Sequence, residues 1–330
     1  MTETRPHLTP GSGGFPAAAA WAPLPLGLVE AAGSDAVRFV DKFTTAALAT
    51  IATGRGSESF FTDARGQVLV LATILRTETG LLILTPPEKA ALLRDHLEHY
   101  HIREAVELRD ATAEFAPLLV IGPEAAAAVE RVTGCVPPGE SLAHAAALIG
   151  EAPARIVLVT GQAADGYWIL GTADAAATVA KRLVDAAVPR ADRSQLEPLR
   201  LEARYPAAAD IPAKTLPQEL GRDARAISFT KGCYLGQETV ARLDALGHVN
   251  RRLTLVAIEA AEPPPLPAAV EAGGVEVGTL TSACRAPLTG GSLGLGLLQV
   301  KALAAGELRV GGAATRVLDD RPLPPPCSLP

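Results

Sequence analysis

Aromatic residues make up only 4% of this 330-residue sequence. Apolar residues still reach 48%, with alanine dominant, which is ample material for a core; the alanine, glycine, proline and arginine usage also fits a GC-rich genome. Cysteine is scarce: Cys135, Cys233, Cys284 and Cys327 lie far apart, and none forms a C-x-x-C pair. A self-contained zinc or iron–sulfur site draws on clustered ligands, so neither a metal site nor a permanent cluster is expected. So few cysteines in so long a chain also argue against a disulfide scaffold, and a reducing cytoplasm is the expected compartment. No apolar run approaches the ~20 residues of a membrane-spanning helix, and no membrane partner is expected. The longest runs, at 118–122 and 156–160, have strand length. Met1-Thr2-Glu3-Thr4-Arg5-Pro6 lacks a charged segment followed by an apolar one, so no secretory signal is expected. A formal net charge of −6 argues against a dedicated nucleic-acid binder, which carries a basic face.

The length suggests two or three domains. Residues up to about 25 are rich in proline, glycine and alanine and read as a mobile tail. A strand at 26–30 follows, then Ser34-Asp35 as a helix N-cap ahead of Ala36, Val37, Val40 and Phe43 at helical spacing. Strands at 58–62, 67–76 and 81–85 come next, and Pro86-Pro87 opens a helix over 88–101, where an early proline needs no amide partner. A short strand at 106–110 closes this block. The second block, 114–187, reads strand 116–121, helix 124–132, strands 156–160 and 167–171, and helix 173–187; two helices on one side of an antiparallel sheet would bury both apolar faces. Residues 193–252 are loop-rich. A strand at 251–259, a proline-rich linker at 262–267 and short glycine-punctuated runs from 268 to 319 read as a small β-barrel or sandwich.

The chemistry concentrates in Lys231-Gly232-Cys233-Tyr234-Leu235-Gly236-Gln237-Glu238, followed by Thr239-Val240-Ala241-Arg242. Glycines let the backbone turn tightly and approach a ligand. Lys231 and Arg242 give Cys233 a locally basic setting, which favours the reactive thiolate. The bland alternative is a small buried hydrophobe, the common fate of free cysteine. Lys231 and Arg242 either hold an anionic cofactor tail or pair with Glu238 on the surface, and Glu238 itself suits a helix N-terminus. His96, His99 and His101 share a helix, but without accompanying carboxylates or thiols they read as a surface cluster. His248, Arg251 and Arg252 either line the groove beside the Cys233 segment or simply end a loop.

The Lys-Gly-Cys-Tyr-x-Gly-Gln-Glu run resembles the signature of YgfZ-type folate-binding proteins, relatives of the aminomethyltransferase (T-protein) of the glycine cleavage system. The resemblance extends upstream through Leu216-Pro217-Gln218-Glu219 and Ala226-Ile227-Ser228-Phe229-Thr230, downstream to Gly247-His248-Val249-Asn250-Arg251-Arg252-Leu253, and more weakly over most of the chain. It implies an α+β, T-protein-like arrangement of three domains: a discontinuous first domain (26–113 plus 193–250), a ferredoxin-like middle domain (114–192) and a C-terminal β-barrel with a proline-rich tail (251–330). It implies a tetrahydrofolate-binding accessory factor in maturation or repair of iron–sulfur proteins, with folate and iron–sulfur clients or cluster carriers as partners. Cys233 and Lys231 are then the candidate catalytic residues, and Glu202, Tyr234, Gln237, Arg242 and Arg251 the cofactor-binding ones.

Leu199-Arg200-Leu201-Glu202-Ala203 resembles the Arg-x-Glu-Ala-Gly segment of T-protein relatives, whose glutamate binds the pterin; the alternative is an exposed strand glutamate. A carboxylate can accept two parallel N–H bonds from an aminopyrimidine edge. The chain departs from the family at Arg204-Tyr205, where a glycine is expected, and at Thr44-Thr45-Ala46-Ala47, where a Thr-Asn-Asp-like sequence is expected. It also lacks the acidic pair of T-protein, whose place is taken by apolar residues around Val70 and Leu71. Acid–base chemistry needs a titratable group there, so true aminomethyl transfer is not expected. A one-carbon transferase and a cofactor-free interaction protein on the same fold are the alternatives. Glu276-Val277-Gly278-Thr279-Leu280-Thr281-Ser282 resembles the family's closing domain and is read as structural, and Cys284 has no assigned chemistry.

Overall fold

The computed structural model describes residues 18–162, 165–286, 290–303 and 307–319. The expected tails at 1–17 and 320–330, with Cys327, lie outside the described residues. The first stretch comprises β1 (Ala20–Pro23), β2 (Gly27–Ala32), α1 (Ala36–Asp41), β3 (Gly56–Thr62), β4 (Val68–Arg76), β5 (Gly80–Thr85), α2 (Ala90–His99) and β6 (Glu107–Asp110). Then come β7 (Leu118–Ile121), α3 (Ala125–Thr133), β8 (His144–Ile149), β9 (Ala152–Val159), β10 (Gly166–Gly171) and α4 (Ala173–Asp185). The signature region holds α5 (Arg193–Glu202), α6 (Asp223–Ala226) and α7 (Gln237–Leu246). The chain closes with β11 (Arg251–Ile258), β12 (Ala268–Ala272), β13 (Val275–Ala286), β14 (Gly291–Gln299), α8 (Val300–Leu303), β15 (Leu308–Val310) and β16 (Ala313–Asp319).

The fold is α+β. Two five-stranded antiparallel sheets, ordered β3-β4-β5-β2-β6 and β1-β7-β10-β9-β8, are accompanied by a closed barrel, β11-β14-β13-β12-β15-β16. Side chains alternate between the faces of a strand, and this alternation sorts the cores. On β4, Val70, Ala72 and Ile74 pack with α1 and α2, while Leu75, on the opposite face, joins Leu84 and Leu28 against Val157, Val159, Trp168 and Leu170 of the second sheet. The other face of the second sheet takes α3 and α4 through Ala128, Val129, Val179 and Leu183. The layers therefore run helix, sheet, sheet, helix, with the two helices of the middle block on one face as expected. The barrel docks at one end, where Phe60 and Leu71 meet Leu253, Leu255, Leu293 and Leu295. Among the described residues, no helix is long and apolar enough to cross a membrane.

Three local readings change. Ala20–Pro23, expected within the mobile tail, is an edge strand: Trp21 is buried opposite Val120 of β7, and its backbone bonds to Pro189 and Ala191. β8 was not anticipated, because His144-Ala145-Ala146-Ala147 carries no β-branched residue to mark a strand. Residues 193–202 form a helix rather than loop or strand, opened by a reciprocal cap between Asp192 and Gln195.

Candidate functional site

Strand alternation also fixes what faces the centre of the molecule. On β3, Glu58 lies two residues before Phe60, and on β4, Thr73 lies two after Leu71; Glu58 and Thr73 are direct cross-strand partners. Both are turned away from the helices, between the contact with the second sheet and the contact with the barrel. Glu58 is 3% exposed and is held by a two-pronged bond from Arg222 of the chain before α6, at 2.7 Å from both Nε and Nη2. Arg222 Nη2 also donates to the Gly161 carbonyl at 3.0 Å, Arg225 approaches Glu58 at 3.8 Å, and Arg225 Nη1 donates to the Thr160 carbonyl at 3.1 Å. The Arg222 guanidinium stacks on the Tyr205 ring, 4.9 Å from its centroid. Burial, aided by the Glu58 charge, pushes the Tyr205 phenol up to about 12. Gln162, 1% exposed, donates to the Thr73 hydroxyl at 2.8 Å. This central junction ties the first sheet, the loop after β9 and the signature region together. Sequence reasoning missed it, although a glutamate alternating with phenylalanine inside β3 was a visible signal.

The signature loop is bound to the turn after α1. Ser228 N donates to Thr45 O at 2.8 Å, Thr45 Oγ1 to Ala226 O at 2.6 Å, and Leu235 N to Lys42 O at 2.9 Å. Thr62 Oγ1 donates to Leu235 O at 2.6 Å. Thr44 and Thr45, in the stretch where the resemblance leads one to expect a Thr-Asn-Asp-like sequence, are fully buried and serve this join. Lys231 points into it. Its ammonium donates to the carbonyls of Asp41 (2.6 Å), Ala46 (2.8 Å) and Thr44 (2.9 Å) and to Asp41 Oδ1 (3.1 Å), and its side chain is 2% exposed. Burial lowers its pKa and the Asp41 carboxylate works against that shift. A lysine ammonium has three donors, and here they are spent on the first domain, so the expected activation of Cys233 by Lys231 does not match this geometry. Tyr234 is buried beneath the same ammonium, 5.2 Å from ring centroid to Nζ, and its phenol is pushed up to about 12 by burial.

Between these two inward side chains, Cys233 is exposed. Gly232 beside it has nothing within 4 Å of where a Cβ would stand. Gly236, by contrast, has φ +82°, and a Cβ there would meet Asp63 O at 2.5 Å and Gly66 Cα at 2.7 Å. Only glycine accepts both the left-handed backbone and that close approach. α7 then leaves the body with Val240 as its one buried residue, and Glu238 and Arg242 are exposed along it. Glu238 stands in the first turn of this helix, where a carboxylate is favoured by the helix dipole. Gln237 is half-buried at the start of this helix. Gln218 fastens α7 by donating to Val240 O at 2.7 Å. Arg251, expected at the cofactor, forms a two-pronged pair with Glu219 at 2.9 Å for both bonds.

Glu202 ends α5, half-buried, and burial raises its carboxyl to about 7. Arg200, two residues back, bonds Glu197 (2.6 Å), Asp210 (2.9 Å) and Ser282 of the barrel (2.7 Å), which fixes the helix end against β13. Cys284 on β13 lies near this end, and burial pushes its thiol up to about 12, with the Glu197 and Glu202 charges adding to the rise. Arg204, where the resemblance leads one to expect glycine, has φ +47°, a left-handed position that glycine adopts without strain. Its side chain is 2% exposed and turns inward. Val70 and Leu71, on opposite faces of β4, are both buried in apolar cores, so no acid stands at that spot. Of the histidines, His96 packs edge-on to Phe43 and Tyr100, and His101 bonds Glu98 and the Glu104 carbonyl. His248 is exposed and bonds the Leu246 carbonyl at 3.0 Å. Among the described residues, no three metal-ligating side chains converge.

The predicted site residues thus occupy three places: Lys231, Cys233, Tyr234, Gln237 and Arg242 on the signature loop and α7, Glu202 at the end of α5 beside the barrel, and Arg251 at the start of β11, paired with Glu219. Comparisons with known proteins bear on the family and the fold. The GCVT N-terminal domain family matches residues 24–231, and the CAF17 C-terminal β-barrel domain matches residues 250–322. Proteins named tRNA-modifying protein YgfZ are similar: that of Serratia proteamaculans is 29% identical over 310 residues (90% of this chain, 89% of the relative). That of Colwellia psychrerythraea is 28% identical over 193 residues (58% and 56%). A putative chloroplastic transferase of Arabidopsis thaliana is 24% identical over 304 residues (90% and 69%). The crystal structure of the glycine cleavage aminomethyltransferase T of Bartonella henselae superimposes with a TM-score of 0.75 at 19% identity, covering 93% of this chain and 88% of that one. The chain belongs to the GCVT N-terminal domain family, closed by a CAF17-type barrel, and is a YgfZ-type relative of the glycine cleavage T-protein.

Proposed function

We propose that this protein is a folate-binding accessory factor in the maturation or repair of iron–sulfur proteins, and that it acts through Cys233. The observation that carries the reading is the contrast within four residues. Lys231 and Tyr234 are buried and bonded into the first domain, while Cys233 between them faces solvent. A structural cysteine would be buried, whereas a thiol held out by two anchors is presented to a second molecule. A client cluster or a cluster carrier is the partner such a thiol suits, because a sulfur ligand binds iron. Relatives are named as tRNA-modifying proteins. With a net charge of −6 this chain is poorly suited to holding tRNA itself, so a role of that kind would pass through a client enzyme that acts on tRNA.

The residues present fit a folate. Glu202 offers a desolvated carboxyl that titrates near neutrality; ionised, it accepts two parallel N–H bonds from an aminopyrimidine edge. The central junction offers further polar atoms that have no partner among the described residues, Arg222 Nη1 and Gln162 Oε1. Glu202 would hold the ring edge, and the exposed Arg242 would suit an anionic tail. When bound, a reduced folate supplies a carrier for one-carbon units. The buried apolar pair Val70 and Leu71 provides no acid or base to work on such a unit, which speaks against aminomethyl transfer. The test is rescue: in a strain lacking the protein, an iron–sulfur enzyme is assayed with wild-type, Cys233→Ser and Glu202→Gln copies. The proposal expects rescue by wild type and loss with Cys233→Ser. Full rescue by Cys233→Ser removes the thiol mechanism.

A further inference from the structure

We infer that Arg222 and Gln162 form a second recognition pole for the ligand at the central junction, reading an oxygen acceptor and an adjacent N–H donor on a flat heterocycle. The inference rests on the folate reading above and deepens it with residues outside every motif of the signature. Arg222 is fully buried and Gln162 is 1% exposed, yet Arg222 Nη1 and Gln162 Oε1 have no hydrogen-bond partner among the described residues. Buried polar groups are nearly always paired, so each orphan calls for a missing partner. One is an obligate donor and the other an acceptor, which asks for an acceptor and a donor in return.

The two groups are held firmly. Glu58 and Gly161 O fix the Arg222 guanidinium through its other nitrogens, at 2.7 Å, 2.7 Å and 3.0 Å. Thr73 fixes the Gln162 amide at 2.8 Å and also bonds the Tyr205 phenol. Because Arg222 Nη2 bonds the carbonyl of the residue before Gln162, the two side chains share one neighbourhood. Tyr205, stacked on Arg222, adds an aromatic surface there. Two guanidiniums, Arg222 and Arg225, share the single carboxylate of Glu58. That balance favours an electron-rich oxygen on the incoming group. Tyr205 lies three residues beyond Glu202, so a ligand held by the Glu202 carboxyl has this pole close at hand in the chain. Preorganised donors and acceptors of this kind set specificity, because a ligand lacking either atom leaves a protein group unpaired.

The test is calorimetric titration of 5-formyltetrahydrofolate into wild type, Gln162→Met, Arg222→Lys and Glu202→Gln, with the thermal midpoint of each recorded. Gln162→Met keeps the side-chain volume and removes both hydrogen-bonding atoms, and Thr73 retains Tyr205 as a partner. The expected result is Kd weakened about tenfold or more in Gln162→Met, with the midpoint within about 3 °C of wild type. Arg222→Lys is expected to weaken binding as well; should it fail to fold, Gln162→Met decides alone. If folded Gln162→Met binds as tightly as wild type, the orphan atoms are served by water and the inference is overturned, while weakened binding in Glu202→Gln would leave the folate reading standing. If wild type itself shows no binding at millimolar ligand, the folate reading falls and this inference falls with it.

Discussion

Replacing Lys231 by methionine separates an anchoring lysine from an activating one. The ammonium lies within 3.1 Å of four oxygens, three of them backbone carbonyls of Asp41, Thr44 and Ala46. Methionine fills similar space and satisfies none of them. Each stranded carbonyl costs about 1–3 kcal/mol, and removing one member of a buried charged contact costs about 3–5 kcal/mol in all. That is a large part of the roughly 5–15 kcal/mol that holds a domain folded. Lys231→Arg keeps the charge, but a planar fork cannot copy a compact three-donor head, so an intermediate loss of about 1–3 kcal/mol is expected. The assay is urea unfolding, paired with the rate at which iodoacetamide alkylates Cys233 in the native protein. An anchor predicts the stability losses above, with native Lys231→Arg alkylated at the wild-type rate. A loss below about 1 kcal/mol in Lys231→Met, together with slowed alkylation in Lys231→Arg, would refute the anchoring argument.

Further outcomes follow from the same structure. Gly236→Ala is expected to lower the thermal midpoint clearly, because a Cβ would enter Asp63 O and Gly66, whereas Gly232→Ala, with open space around it, is expected to leave the midpoint unchanged; scanning calorimetry compares them. Glu58→Ala strands the fully buried Arg222 charge and is expected to cost about 3–5 kcal/mol in denaturant unfolding. Glu202, raised from 4.5 to about 7, binds more protons folded than unfolded, so its contribution is fully present below pH 4.5 and is lost as pH rises through 7. After allowance for its partial exposure that amounts to about 1–2 kcal/mol. Glu202→Gln should flatten that part of a stability-versus-pH curve, and an unchanged slope would contradict the assignment. Asp223, raised to about 6 by burial and the neighbouring Asp244 charge, contributes in the same direction and remains in the variant as an internal reference.

The three-part organisation was legible because its markers are local. Glycine turns separate the barrel strands, helical spacing marks α3 and α4, and the Cys233 segment is long enough to carry a resemblance. The site was legible only in part. Cys233 could be picked out as a candidate from its neighbours, but which of those neighbours turn inward could not be read: loop residues 228–236 have no periodicity, and the partners of Lys231 lie 185–190 residues away. The Glu58–Arg222 pair spans 164 residues and belongs to no motif. Its one local sign was a charged residue alternating with Phe60 on a buried strand face. Glu202 could be picked from its segment, but its helix was hidden by Pro198 within it; the Asp192–Gln195 capping pair was the signal to weigh instead. Arg204, a departure at the sequence level, proves to occupy the one backbone conformation there that a glycine would have adopted without strain.

The central claim is that an exposed Cys233, held out by Lys231 and Tyr234, serves a client's cluster. The most direct measurement incubates a purified iron–sulfur enzyme in air with wild-type protein or with Cys233→Ser. The client's visible cluster absorbance and activity are followed over time, after confirming that both proteins unfold at the same urea midpoint. Wild type is expected to slow the client's decay, and Cys233→Ser to leave it to decay as buffer alone does. Equal protection by both proteins would contradict it, and would move the chemistry away from Cys233.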